Sequence, residues 1–304
     1  MSSTITTGLN PNYLKAGQVI RDVRKDVESK NWRGKTYVEL CNYVEDSIRG
    51  KGAEPAFPCN VCADGTAAHY TAEIDDTRVV PEETILKVDL GAHVEGYVAD
   101  SAVTLCYRDD LYDLVDATRS ALVEAMKVIK SGGRTAEVGR VVEAYASRRG
   151  YLPISNLSGH SLDQYIVHSG TTVPNVWSPS PSVFKEDRAY AVEPFFTTSG
   201  GSGVVVEGKS ENIFALVTRK KIKDPKLNNL VETIWNRRKT LPFAARWFLE
   251  DYENNGDQVN SALKQLVKLR VIRSYPELVE ARGTPVAQAE HTIATTAAGY
   301  LILT

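Results

Sequence analysis

Apolar side chains recur at helical spacing in four segments of the chain, with charged residues between them. These segments cover residues 11–30, 36–49, 110–131 and 135–149. Thr36 is a candidate N-cap for the second segment, and Gly150 closes the fourth. The pattern therefore predicts four amphipathic helices, arranged as two consecutive pairs.

A strand pattern lies between the two helix pairs. Residues 85–105 alternate β-branched or aromatic residues with small or polar ones, which predicts an antiparallel hairpin with its turn centred on Val94 and Glu95. In that register Asp89 faces Asp100, and directly opposed Cβ atoms are about 4.5 to 5.5 Å apart. Two carboxylates among apolar neighbours repel each other, so we expect either one protonated carboxyl or a bound cation. A solvated hairpin whose acids face water is the alternative.

Loop and short strand follow each helix pair. Residues 53–72 contain Pro55, Pro58 and Gly65, which exclude a long helix there. Loop and strand resume at residues 151–176, after the second pair. Because the order of helix, helix, loop and strand occurs twice, we expect an α+β fold of two similar halves packed around a shared site.

The segment 222–282 has a different pattern. Its periodicity and caps predict three helices and then a strand pair within residues 271–283, an outline typical of a winged helix. The helices are expected at residues 226–239, 242–253 and 257–270. Residues 218–282 hold 14 Lys and Arg against 8 Asp and Glu, so contact with nucleic acid such as ribosomal RNA is one hypothesis. A solvated lid that narrows a cleft is the alternative.

Composition limits the class of protein. A chain of 304 residues with 42% hydrophobic content can form one large core or two ordinary domains. The net charge of -2 argues against a dedicated nucleic-acid or membrane-surface protein. The sequence has no apolar run of about 18 residues and no signal-peptide pattern at its start, so we expect a cytoplasmic protein. Cys59 and Cys62 lack the second ligand pair of a structural zinc site, which favours small buried residues.

Several acids and histidines occupy strand-like or loop segments with apolar neighbours. His69 precedes Tyr70, while His160 lies shortly before the strand-like sequence QYIVH, which ends at His168. Taken singly, each histidine is more often structural than catalytic. Glu193 lies in the apolar sequence RAYAVEPFF and Glu290 in VAQAEHTIATT. Burying a carboxylate without a partner is costly. Glu193 and Glu290, like the two aspartates, are therefore expected to need a positively charged partner.

The acids and one histidine form a set of ligand-type side chains: Asp89, Asp100, His160, Glu193 and Glu290. Oxygen-rich ligation with a single imidazole suits two adjacent hard or borderline divalent cations. Two cations about 3.5 to 4 Å apart are a usual arrangement for amide hydrolysis. The donor set suits Mn, Fe, Co and Zn alike.

These motifs follow one another in a distinctive order. D-x10-D is followed by S-G-H with a second histidine eight residues on, then by E-P-F and A-x-E-H-T. The order resembles that of the methionine aminopeptidases. F-P-x-N at 57–60, A-A-H-Y-T at 67–71 and the long segment between Glu193 and Glu290 are similar to the type 2 branch.

The resemblance implies the pita-bread metallopeptidase fold, of the M24 type, with two αβ halves related by a pseudo-twofold axis. It implies a catalytic domain formed by residues 1–221 and 283–304, and a helical, winged-helix-like subdomain inserted at 222–282. Two residues depart from the branch: Ala72 stands where proline is common, and Ser169 where alanine is common.

The resemblance also implies a role for each matching residue. The metal ligands would be Asp89, Asp100, His160, Glu193 and Glu290. Glu193 would also be the general base toward a hydroxide that bridges two metals. His168 would donate a hydrogen bond to the scissile carbonyl or its oxyanion, and His69 would act on the peptide beyond the scissile bond and assist catalysis. Phe57 and Phe195 are candidates for the pocket that takes the methionine side chain.

The implied activity is removal of the initiator methionine from nascent polypeptides whose second residue is small. Two divalent metal ions (Co, Mn, Fe or Zn) would be the cofactors. The expected partners are nascent N-termini, with a transient ribosome contact through the basic insertion, no membrane contact and a monomeric state. A prolidase or Xaa-Pro aminopeptidase of the same fold is an alternative, as is a non-catalytic pita-bread binding protein. Prolidases usually carry a separate N-terminal domain, and non-catalytic relatives typically lose ligands.

Overall fold

The computed structural model describes residues 8–304, which form two helix-bearing halves and an inserted segment. Its helices are α1 (Pro11–Glu28), α2 (Tyr37–Gly50), α3 (Tyr112–Met126), α4 (Ala136–Arg149), α5 (Pro225–Arg238) and α6 (Gly256–Lys268). Short 3-10 turns lie at Asp109–Leu111, Ala245–Phe248 and Glu250–Tyr252. Within this range, no helix combines the length and apolarity that a membrane span requires.

The strands are short except for one long hairpin. They are β1 (Glu54–Pro55), β2 (Asn60–Ala63), β3 (Thr66–Ala68), β4 (Ile85–Val94), β5 (Tyr97–Cys106), β6 (Tyr151–Pro153), β7 (Ser158–Leu162), β8 (Thr172–Pro174) and β9 (Ala189–Val192). They continue with β10 (Phe195–Thr198), β11 (Val205–Glu207), β12 (Ile213–Leu216), β13 (Phe243–Ala244), β14 (Ile272–Tyr275), β15 (Leu278–Glu280), β16 (Val286–Gln288), β17 (His291–Thr296) and β18 (Gly299–Ile302).

The four helices of the two halves lie where the apolar periodicity predicts them. Thr36 accepts a hydrogen bond at Oγ1 from the backbone N–H of Glu39, whose side chain accepts one in return from the N–H of Thr36. This reciprocal cap fixes the start of α2. Gly150 ends α4 with φ +77°, a conformation that glycine adopts without steric cost. The third helix is shorter than predicted, because α3 ends at Met126.

Each half packs two helices against antiparallel sheet. In the first half, α1 and α2 cover the sheet of β1, β4 and β2, to which β5 is paired, and Val23, Leu40, Val88 and Leu90 share one buried cluster. In the second half, α3 and α4 cover the sheet of β16, β10 and β6 together with part of the five-stranded sheet. The predicted repeat of two similar halves is therefore present in the structure.

The long hairpin differs in register from the prediction. Its turn consists of Glu95 and Gly96, both with positive φ, as a two-residue hairpin turn of the favoured hand requires. Asp89 consequently pairs with Ala102, and Asp100 pairs with Gly91. The prediction that Asp89 directly faces Asp100 is wrong: glycine at 96 places the turn one residue further along, which shifts the cross-strand partner of Asp89 by two residues.

The inserted segment has two α-helices rather than the three predicted. Residues 242–253 form β13 and two 3-10 turns, because Phe243 pairs with Phe214 of β12 and Phe248 packs in the same buried cluster. Pairing and burial here override the helical pattern. The two strands predicted in 271–283 are present, but they do not pair with each other: β14 pairs with β12, and β15 pairs with β11 and β3.

A buried ion pair connects the inserted segment to the first half. The carboxylate of Glu45, on α2, accepts hydrogen bonds from the Arg246 guanidinium and from Trp247 Nε1, the latter at 2.7 Å. Arg246 Nη1 also donates to Thr71 Oγ1 at 3.0 Å. Glu45 further accepts the backbone N–H of Cys59. The insertion is thereby joined to the loop segment that carries His69.

Candidate metal centre and active site

Three carboxylates meet where the hairpin lies beside the last long strand. Asp89 and Asp100 are diagonal neighbours on one face of the hairpin, a spacing that still permits side-chain contact. The backbone N–H of Glu290 donates to the Ala102 carbonyl at 3.2 Å, and Ser101 Oγ donates to the Glu290 carbonyl at 2.8 Å. These bonds place Glu290 beside the aspartates, so that ligand atoms of all three acids lie within 4.8 Å of one another.

His160 and Glu193 reach the same place from the five-stranded sheet. His160 of β7 pairs with Ala191 of β9, and Glu193 directly follows β9. Because Val192 pairs with His291, Glu193 and Glu290 lie at adjacent ends of paired strands. His160 Nε2 is 3.5 Å from Glu193 Oε1 and 3.8 Å from Asp100 Oδ2.

The carboxylates have unsatisfied oxygens and perturbed proton affinities. Within residues 8–304, Asp89 Oδ1, Asp100 Oδ1 and Glu290 Oε1 are buried without a hydrogen-bond partner. Burial raises the pKa of Asp89 to about 7. Burial, followed by the charges of neighbouring acids, raises the pKa of Asp100, Glu193 and Glu290 well above the usual range. Burial lowers the pKa of His160, so its contacts with the acids are not ion pairs. A buried acceptor cluster of this kind fits a divalent cation.

Two supporting residues carried no recognisable signal in the sequence. Gln288 Nε2 donates to Asp89 Oδ2 and to Glu290 Oε2, each at 3.4 Å, and so bridges two of the acids. Asn175 Nδ2 donates to the carbonyls of Leu157 and Glu193 at 3.1 and 3.0 Å. It fixes the backbone that presents the Glu193 carboxylate. Such amides orient a site through tertiary contacts that sequence spacing does not reveal.

Two further histidines lie beside the acids. The rings of His160 and His168 are 4.3 Å apart between centroids and nearly perpendicular. His69 follows β3 with φ +62°, and its ring packs edge-on against Tyr275 at 5.8 Å. Burial lowers the pKa of His69 and of His168 to about 4, so both rings are neutral at pH 7 and can donate one N–H each. Tyr275 was not identified from the sequence.

All nine site residues named from the sequence line one cavity of about 330 Å³. Asp89, Asp100, His160, Glu193 and Glu290 lie beside His69 and His168, with Phe57 and Phe195 on its apolar wall. The Phe57 ring rests on Gly91, where an added Cβ would stand 2.2 Å from Phe57 Cε1. Polar groups and an apolar wall thus share one opening, an arrangement common in ligand sites.

Two similar halves enclosing a cluster of acids and histidines in one cavity define a metallopeptidase with the pita-bread fold. The chain belongs to metallopeptidase family M24, whose family model matches residues 12–211. Methionine aminopeptidase from Thermococcus onnurineus is 40% identical over 292 residues, covering 96% of this chain and 98% of the relative. Methionine aminopeptidase from Saccharolobus solfataricus is 37% identical over 287 residues, covering 92% of each chain. These relatives confirm the recognition of a type 2 methionine aminopeptidase made from the sequence motifs.

Solved structures confirm the fold. A structure of a thermophilic Arx1 superposes with a TM-score of 0.82 at 16% identity, covering 99% of this chain and 91% of that one. Methionine aminopeptidase from Thermotoga maritima superposes with a TM-score of 0.69 at 20% identity, covering 99% of both chains. The predicted α+β pita-bread architecture is therefore correct.

Proposed function

We propose that the chain removes the N-terminal methionine from nascent polypeptides and peptides whose second residue is small. The proposal is supported by relatives at 36–40% identity, named methionine aminopeptidase, that match this chain over nearly its whole length. The observation that carries it is the convergence of the carboxylates of Asp89, Asp100 and Glu290 within 4.8 Å of one another beside an apolar wall in the same cavity.

Asp89, Asp100, His160, Glu193 and Glu290 would hold two divalent cations. Bound cations would polarise the scissile carbonyl and activate a water for attack on it. The unsatisfied oxygens of Asp89, Asp100 and Glu290 support this assignment, because each offers a free lone pair to a cation.

The remaining residues would handle protons and position the peptide. Glu193 would take a proton from the attacking water and return it to the leaving amine. Neutral His168 would donate its N–H to the scissile carbonyl oxygen, where negative charge develops. His69, further along the cavity wall beside Tyr275, would contact the peptide beyond the scissile bond. Phe57 and Phe195 would line the pocket for the methionine side chain.

The activity is tested with two peptides assayed side by side. We expect cleavage of Met-Gly-Gly that chelator abolishes and that added Mn²⁺ or Co²⁺ restores. A peptide with proline in second position tests the prolidase and Xaa-Pro alternatives, and preferential cleavage of that peptide would favour them. Absence of metal-restored cleavage of both peptides would favour the non-catalytic alternative.

The role of His168 is tested by its replacement. We expect His168→Ala to lower kcat for Met-Gly-Gly about 100-fold, the usual cost of removing one donor to a developing oxyanion. The control is Ser169→Ala, since Ser169 donates to Ser161 Oγ and lies outside the cavity lining. An unchanged kcat in His168→Ala would contradict the assigned role.

Contact with the ribosome through the inserted segment is a further part of this proposal, as are a cytoplasmic location and a monomeric state. Between Thr218 and Arg282 the chain holds 14 basic against 8 acidic residues, and Lys220, Lys221, Lys223 and Lys226 are exposed. Replacing these four lysines by glutamine should reduce co-sedimentation with ribosomes at low salt and leave Met-Gly-Gly cleavage unchanged. Sedimentation equal to that of the unmodified chain would exclude this surface.

A further inference from the structure

Arg238 is a buried cation at the end of α5, in the inserted segment. Only 6% of its surface is exposed, and among residues 8–304 no carboxylate lies within 4.0 Å of its guanidinium. Burial lowers its pKa to about 10, so it stays protonated at pH 7. Burying an unpaired charge is costly. That cost would be absent if the side chain at the end of α5 faced solvent. The position therefore needs an explanation in its contacts.

The contacts of Arg238 join two chain segments that are distant in sequence. Nη2 donates to the carbonyl oxygens of Pro55 and Ala56 at 2.8 and 3.0 Å, and to that of Pro242 at 3.0 Å. The guanidinium also lies over the Trp247 ring, 4.8 Å from its centroid. Nη2 carries two N–H groups, so one of them is shared between two carbonyl oxygens, and this single nitrogen links residues 55–56 to the insertion.

Both of these segments form walls of the cavity. Ala56 directly precedes Phe57, and both Phe57 and Pro242 line the cavity. The Phe57 ring packs on Gly91, and the preceding residue is bound to the same strand by the hydrogen bond from Ala56 N–H to the Gly91 carbonyl at 2.8 Å. Arg238 supplies a second restraint on this segment and fixes the separation between the Phe57 and Pro242 walls.

We infer that Arg238 is a positioning residue that sets the shape of the side-chain pocket for the N-terminal residue of the substrate. The inference rests on the proposed aminopeptidase function and adds to it a part for the insertion: the inserted segment completes the specificity pocket. Arg238 touches neither the acid cluster nor the histidines, so its removal should alter recognition of the substrate side chain while leaving metal binding intact.

The test compares Arg238→Met with Arg237→Met. Arg237 is its neighbour on the same helix, but pairs with Asp251 at the surface, so its variant controls for loss of charge and for changes at the helix end. We expect Arg238→Met to raise KM for Met-Gly-Gly about tenfold, the scale of one methylene-sized change in an apolar pocket. The preference for Met-Gly-Gly over Leu-Gly-Gly, as a ratio of kcat/KM, should narrow about as much. Metal content should equal that of the unmodified chain, and Arg237→Met should match it throughout.

Two outcomes would overturn the inference. If Arg238→Met melts at a lower temperature but keeps the KM and the Met-to-Leu preference of the unmodified chain, Arg238 serves folding alone. If Arg238→Met does not fold, Arg238→Lys decides: an ammonium lacks the planar guanidinium that lies over the Trp247 ring and has a different donor geometry, so KM should rise by a smaller factor. An unchanged KM and preference in Arg238→Lys would then contradict the inference. Failure of the unmodified chain to cleave Met-Gly-Gly would instead contradict the proposed function itself.

Discussion

His69 has a backbone conformation that few L-residues adopt. Its φ of +62° lies in the left-handed region, where a Cβ costs about 1 to 2 kcal/mol. The preceding strand is fixed by the pairing of Ala68 with Leu278, and the left-handed turn directs the ring into the cavity. Strained backbone at the wall of a site is a reason to expect function there. The strained backbone therefore supports a catalytic role for His69, although its sequence context alone favoured a structural role.

His69→Gly and His69→Ala separate strain from chemistry. Glycine adopts a positive φ without steric cost, so His69→Gly should be more stable than His69→Ala by about 1 kcal/mol. Both variants lack the ring, and both should lower kcat for Met-Gly-Gly to the same level. Thermal unfolding and steady-state kinetics measure the two effects. Equal melting temperatures would mean that the left-handed conformation carries no cost.

Asp100→Asn tests whether the cluster of acids binds a cation. In chelated protein the change removes a buried carboxyl whose pKa is already raised by burial and by Asp89, so we expect the melting temperature to stay level or rise. In metal-loaded protein it should remove most of the stabilisation by metal, about 2.7 kcal/mol at a hundredfold excess over Kd. The exposed Asp110→Asn is the control. A similar shift in both states would contradict a metal role for Asp100.

At the scale of helices and strands, some features follow from the local sequence pattern and others depend on tertiary contacts. Helices α1, α2 and α4 follow their apolar periodicity and caps to within two residues. The hairpin turn lies one residue later than predicted, and the pairing is shifted by two residues, because Gly96 permits the positive φ of a tight turn, whereas the alternation alone was compatible with a turn at Val94 and Glu95. The helix expected at 242–253 does not form, because Phe243 pairs in a strand with Phe214, nearly thirty residues earlier in the chain. Nothing in the sequence indicated the roles of Arg238 and Asn175, because their hydrogen-bond partners are brought near them only by the tertiary fold.

The docking of the insertion on α2 should depend on Glu45. Glu45→Ala leaves Arg246 buried without its carboxylate, and breaking a buried pair in this way costs about 3 to 5 kcal/mol. The matched control is Glu232→Ala, because Glu232 pairs with Arg219 at the surface, where such pairs contribute about 0 to 1 kcal/mol. Urea unfolding measures both. A loss below 1 kcal/mol in Glu45→Ala would mean that apolar contacts alone hold the insertion.

Across the whole molecule, the two halves and the insertion converge on one cavity. The nine site residues come from segments spanning residues 57 to 290 and line the same cavity, while their roles as ligands and catalytic groups stay predictions. The sequence could not give their relative geometry, which depends on how β7, β9 and β17 pair. If the acid cluster holds metal as proposed, metal and proton would compete for carboxylates that only the assembled fold brings together.

This competition predicts a pH-dependent effect of metal on stability. Burial raises the pKa of Asp89 from 3.8 to about 7, so between these values the chelated folded protein binds a proton that the unfolded chain has released. Its stability therefore falls as pH rises through this window, by at most about 1.4 kcal/mol per pH unit for each such group. Bound metal replaces the proton and removes that loss.

The difference in melting temperature between metal-loaded and chelated protein should accordingly widen from pH 5 to pH 8. Scanning calorimetry at unit intervals of pH measures it, and the buried histidines away from the metal contribute to both states and cancel. Asp89→Asn should flatten the trend. A difference that stays constant with pH would contradict proton and metal competition at these carboxyls.

The contact between Phe57 and Gly91 constrains how this enzyme can change its selectivity. Any single codon change at 91 introduces a Cβ into the space that the phenyl ring fills, so such variants should be lost before selection on activity can act. A side chain at 91 therefore requires a smaller residue at 57 in the same variant. A library that randomises both positions together should yield active variants with new side-chain preferences, whereas one that randomises 91 alone should return only the parent sequence.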